Sequence, residues 1–181
     1  MHSNLKSNLE KIFQNSRNSD ELFDAFQLLI FKKINDLELF KILLANSSIS
    51  KDELLMFSEK LAKDFPDSAG DIYLWMSRVI ENKTSQTECM DIALQYLKKA
   101  WLTKKSNNEA LLRACSLYNA EYDIDFPLNK NVITFIEESV NYVKSKSKIY
   151  YSLAKIYKKA GFKEKCRECE MLAEKWASVE D

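Results

Sequence analysis

Glycine, proline and histidine are nearly missing from this chain. Its 181 residues include 2 Gly, 2 Pro and 1 His. So few turn formers argue against a β-rich or loop-rich protein and suit long helices. The only histidine, His2, lies beside the N-terminus, so no histidine base or catalytic triad is expected. The two glycines, Gly70 and Gly161, lie too far apart for a phosphate-cradling loop. Neither charge is in excess, with Lys+Arg 27 and Asp+Glu 27. A nucleic-acid binder would show a basic surplus, so none is expected. Apolar runs are short, as at Leu28–Phe31, and predict no membrane span. Met1–Asn18 lacks the apolar stretch and cleavage site of a secretory signal, which predicts a cytoplasmic location. The 4 Cys are too sparse for a disulfide scaffold.

A recurring spacing of small and large residues is present instead. Ala62, Ala100 and Ser139 each stand 11 residues before Tyr73, Leu111 and Tyr150, and each lies 7 after Leu55, Ala93 and Val132. Cys166 and Ala173 repeat the step of 7. Small side chains at helix crossings, with a large neighbour filling the gap, account for this. Such a helix–turn–helix unit cannot bury its apolar face alone, so copies stack. An ordinary helical bundle with small residues at its crossings is the competing architecture.

Apolar periodicity predicts helices almost throughout. Ser3 is expected to cap a first helix to about Asn15; Ser19 or Asp20 opens a second, and Asn35 or Asp36 opens a third. Ser50 with Glu53 forms a capping-box signature for a fourth, which Pro66 stops. A helix over Ser68–Glu81 is followed by a loop at Asn82–Gln86, and Thr87 begins the next. Asn107 caps another. A turn around Pro127 spans Asp123–Leu128, and the helix after it carries Val132, Ile136, Ser139 and Val143. A last pair covers Ser147–Ala160 and Lys163 to about Ser178, broken at Gly161.

The segment Ile149-Tyr-Tyr-Ser-Leu-Ala-Lys-Ile-Tyr-Lys-Lys-Ala-Gly-Phe resembles a tetratricopeptide repeat. Tyr150, Leu153, Ala154, Tyr157 and Gly161 fall at that family's marks on the first helix and turn, and Cys166 and Ala173 at those of the second helix. Glu170 stands where the family has an aromatic. Two earlier copies, around Tyr73–Ala100 and Leu111–Ser139, keep mainly the spacing, and a faint first copy covers Leu37–Ala62. The crossing residues Ala62, Ala100, Ser139 and Ala173 are 38, 39 and 34 apart, against a family period of about 34. The resemblance implies an all-α, right-handed solenoid of about four antiparallel helix pairs over 35–181, with residues 1–34 as N-terminal capping helices.

The resemblance also implies a concave groove lined by the first helix of each pair. Asp71, Leu74, Trp75 and Arg78 would point into it, with Leu112, Arg113, Ser116 and Asn119, and then Lys148, Tyr151, Ser152, Lys155, Lys158 and Lys159. From Lys144 to Arg167 there are 9 Lys or Arg against one acid, whereas Asn35–Asp71 has 8 acids and 4 bases. The charge balance leaves two expectations: a protein or peptide partner, acidic in character, held through Trp75, Arg78, Arg113, Lys148, Tyr151, Lys155, Lys158 and Lys159, or lysines that only solvate a helix face. Glu38, Ile42 and Trp75 occupy places where a chaperone-tail clamp needs Lys and Asn, so that clamp is not expected. Two other readings stay open: a secretion-type chaperone cradling an apolar client segment, and a self-associating scaffold or homo-oligomer joined acidic front to basic rear.

Cys166 and Cys169 form Cys-Arg-Glu-Cys. A redox pair would sit at a helix N-terminus after a strand, and zinc would need two further ligands. The simpler expectation is Cys166 as a small core residue at a helix crossing and Cys169 as a semi-exposed neighbour, so no metal, cofactor or catalysis is expected. Trp101, beside Ala100, is expected in the core, and Trp176 over the open end of the stack.

Overall fold

The computed structural model describes residues 2–83, 87–105 and 108–180. Among them are ten α-helices and no strand. They are α1 (His2–Asn15), α2 (Ser19–Phe31), α3 (Leu37–Ala45), α4 (Lys51–Asp64), α5 (Ala69–Lys83), α6 (Thr87–Thr103), α7 (Glu109–Ser116), α8 (Pro127–Ser139), α9 (Ser147–Lys159) and α10 (Lys163–Glu180). Two compact units, Met1–Val79 and Ile80–Asp181, divide within α5.

In the first unit α1 packs on α2 and α3, and α3 packs on α4. Leu9, Phe13, Leu22, Leu29, Phe40 and Leu61 are completely buried. The Phe26 and Phe57 rings, 4.3 Å apart, join α2 to α4. Capping chemistry sets the helix starts. The Ser50 hydroxyl accepts from the Glu53 amide, and the Glu53 carboxylate accepts from the Ser50 amide, which completes the expected capping box. Asp36 caps α3 and is ion-paired with Lys6 of α1. Ser19 opens α2, as expected, and Asn18 caps it, with its side chain accepting from the Asp20 and Glu21 amides. Ser3, the expected cap of the first helix, falls inside α1, which begins at His2.

At the other end of α2, Lys33 adopts φ 51° and the Ile34 amide donates to the Leu29 carbonyl at 3.1 Å. α9 ends the same way. Gly161 has φ 81°, and the Phe162 amide donates to the Tyr157 carbonyl at 2.9 Å. Both are Schellman closures, which glycine enters without a Cβ clash and lysine does not.

In the second unit α6 packs on α7 and α8, α7 packs on α8 and α9, and α10 packs on α9. The small residues Ala93, Ala100, Ala114, Ser139, Ala154 and Ala173 are all buried. Trp101 is buried too, its ring edge-on to Phe135 at 5.9 Å. Trp176 is half-buried, with Lys146 Nζ 4.0 Å from its ring centroid.

Several boundaries differ from the expectation. Asn82 and Lys83 belong to α5, and Thr84–Gln86 of the expected loop lie outside the described residues. Asn107, the expected cap of α7, also lies outside them, and Asn108 occupies the N-cap position with no capping bond, its side-chain amide donating instead to the Ser145 carbonyl. Pro127 and Leu128 open α8 instead of closing a turn. Proline has no N–H and a fixed φ, so the first helical position suits it. Val143 lies past α8, beyond a 3₁₀ turn at Val140–Tyr142, in extended backbone.

Candidate partner-binding surface

The expected groove residues fall in both units: Trp75 and Arg78 in the first, and Arg113, Lys148, Tyr151, Lys155, Lys158 and Lys159 in the second. Within the first unit, Trp75 is half-buried, its Nε1–H donates to the Lys41 carbonyl at 3.1 Å, and Lys41 Nζ lies 5.8 Å from its ring centroid. That side chain is tied down on α3. Arg78 is half-buried as well. Leu74, expected to face a groove, is buried at 6 % exposure. It lies two residues from the buried Ile72, about 200° around the helix, so α5 buries side chains on opposite sides and offers little open surface.

In the second unit the groove residues separate into two kinds. Arg113 on α7 is committed. Its Nη2 donates to both oxygens of Glu81, at 2.8 and 2.9 Å, and both side chains are mostly buried. Asn119 is committed to a loop staple. Its amide donates to Asn129 Oδ1, and Asn129 Nδ2 donates to the carbonyls of Asn119, Tyr122 and Asp123 at 2.8–3.2 Å. Asn129 is completely buried, and its bonds fix the connection from α7 to α8.

The α9 residues are not committed. Lys148, Lys155, Lys158 and Lys159 are all exposed, and Tyr151 is 43 % exposed. Helical spacing puts Lys148, Tyr151, Lys155 and Lys159 on one face, while Ile149, Leu153, Ile156 and Tyr157 fill the buried face. No acidic residue occurs in Ser147–Lys159. The result is a strip of positive charge about 16 Å long with an aromatic in its middle.

α10 fastens the start of this helix. The Glu180 carboxylate accepts from the hydroxyls of Ser145 (2.9 Å) and Ser147 (2.6 Å) and from the amides of Lys146 and Ser147. Burial alone would raise its pKa. The hydrogen bonds from Ser147, Lys146 and Ser145 outweigh that and hold it at about 2.

Cys115, Cys166 and Cys169 have the opposite character from a reactive thiolate. Burial pushes the Cys115 thiol up to about 12, against a hydrogen bond with Ser152 of α9. Burial, with Glu137 and Glu168 nearby, pushes Cys169 up to about 11. Cys166 is raised by burial and by Glu170. Cys169, expected to be semi-exposed, is buried because α10 packs on α9, and it lines a cavity of about 220 Å³ together with Glu137, Tyr150, Tyr157 and Lys165. There the Tyr157 hydroxyl donates to Glu137 at 2.5 Å. Among the described residues no group of three or more His, Cys, Asp or Glu could hold a metal ion, and no helix is long and apolar enough to cross a membrane.

Compared with protein-family models, with curated proteins and with solved structures, the chain matches none of them. The geometry of the α9 strip is therefore the main basis for a functional reading.

Proposed function

We propose that this chain is a tetratricopeptide-like helical repeat protein that works without catalysis, by holding an acidic segment of a protein partner along α9. The observation that carries this is the α9 face: four exposed lysines around a half-exposed tyrosine, with no acid in the helix. Lysines in that array attract an extended or helical acidic segment and orient it, while Tyr151 adds apolar contact.

The repeat reading draws support from the packing order. Each of α6, α7 and α9 meets the next helix in the chain, and α6 meets α8 as α7 meets α9. A stack of helix pairs has that neighbour pattern. The buried small residues at Ala93, Ala100, Ser139 and Ala173 suit helices crossing closely there.

Within this reading Trp75 and Arg113 hold the scaffold, and the contact surface narrows to α9. The test is anisotropy of a labelled peptide built from glutamate and phenylalanine. Binding is expected to weaken about tenfold or more as salt rises from about 0.05 to about 0.5 M. Replacing Lys148, Lys155 and Lys159 together with Glu should remove it, whereas Arg113→Gln should leave it within about twofold. Binding indifferent to salt and to the triple substitution would reject the reading in favour of an apolar cradle.

A further inference from the structure

We infer that the acidic segment held by α9 is helix α2 of a second copy of this chain; the inference rests on the reading of α9 just given. α2 is the electrostatic opposite of α9. Ser19–Phe31 contains Asp20, Glu21 and Asp24 and no basic residue. Its outer face is exposed, with Phe23, Leu28 and Phe31 at 38, 37 and 78 %. Exposed apolar side chains of that size beside uncompensated carboxylates leave a face with both attraction and area to offer a partner.

The spacing of the two faces also agrees. On α2, Asp20, Asp24, Leu28 and Phe31 follow one another at steps of 4, 4 and 3 along a single exposed face. On α9, read backwards, Lys159, Lys155, Tyr151 and Lys148 have the same steps. Laid antiparallel, the helices bring Asp20 to Lys159 and Asp24 to Lys155, each a carboxylate–ammonium pair. Leu28 then meets Tyr151, and Phe31 meets the Lys148 ammonium. The Phe31 ring already takes a cation, since Lys32 Nζ lies 5.2 Å from its centroid. Lys148 would take the place of Lys32 or share the ring.

The two surfaces differ, so two copies can pair reciprocally in a closed dimer or each copy can join two neighbours in a longer assembly.

Light scattering of the full chain over a concentration series tests this. At low salt the weight-average mass should climb with concentration, and the association constant should fall about tenfold or more at high salt. Asp20→Lys with Asp24→Lys should give a monomer, and so should Lys155→Glu with Lys159→Glu. Mixing the two variants should restore association, because each then offers what the other needs. Recovery in the mixture also shows that both variants are folded. A wild type monomeric at all concentrations, or a mixture that stays monomeric, would overturn the inference. If that wild type still binds the Glu/Phe peptide through Lys155 and Lys159, only the self-pairing falls. If it does not, the reading of α9 falls with it.

Discussion

Arg113 on α7 grips both carboxylate oxygens of Glu81, with Nη2 at 2.8 and 2.9 Å. The pair is mostly buried, at 22 and 20 % side-chain exposure. This arginine therefore serves the scaffold, and among the expected groove residues of the second unit the exposed cations are the four lysines of α9. Glu81→Gln should strand the guanidinium and lower stability by about 1–3 kcal/mol, read from the denaturation midpoint. Arg113→Glu should do at least as much, because two carboxylates would then meet. An unchanged midpoint in both would show that the pair contributes nothing.

Asn129 holds the α7–α8 connection through four hydrogen bonds while completely buried. Asn129→Leu keeps the branching at Cγ and removes every partner. The orphaned Asn119 amide and loop carbonyls should cost about 2–3 kcal/mol. Limited proteolysis should then cut within Asn119–Asp123 sooner than in the wild type. Equal protection would contradict the staple.

Two helix ends make a matched comparison. Lys33 and Gly161 both occupy left-handed backbone at a Schellman closure. Lys33→Gly should stabilise the protein by about 0.5–1 kcal/mol, and Gly161→Ala should destabilise it by about 1 kcal/mol. No atom lies within 4 Å of a Cβ built on Gly161, so the cost there would be backbone strain alone. Thermal melts of the two variants should shift in opposite directions.

Much of the helical order is legible in the sequence, because its signals are local. Ser50 and Glu53 announce the start of α4 from three residues apart. Asn18, Ser19 and Asp20 are all cap formers in a row, and which one caps α2 depends on where the preceding turn delivers the chain. Pro127 reads as a turn former although its missing N–H suits the first position of a helix. Leu74 shows a different limit: periodicity identifies an apolar residue but not how many sides of its helix are covered. The α9 strip was visible as a one-sign run of lysines. The loss of Arg113 to Glu81 was not, since the two are 32 residues apart and pair only through the fold.

Glu180 gives a pH dependence with a definite sign. Its folded pKa is depressed to about 2, below an unfolded value of about 4.3. The stability it contributes is thus fully present above about pH 4.5 and is lost as pH falls toward 2. Glu180→Gln should remove that part of the acid sensitivity and loosen the start of α9. Hydrogen exchange at Lys146 and Ser147 should quicken in the variant at neutral pH. If the acid profiles of variant and wild type coincide, the carboxylate does not hold the helix.

The α9 strip can be tested most directly by amide chemical-shift mapping during titration with the glutamate–phenylalanine peptide. The largest changes should cluster at Lys148, Tyr151, Lys155 and Lys159, with Trp75 and its neighbours on α5 unmoved. Changes centred on α5, or none along α9 at saturating peptide, would contradict the account.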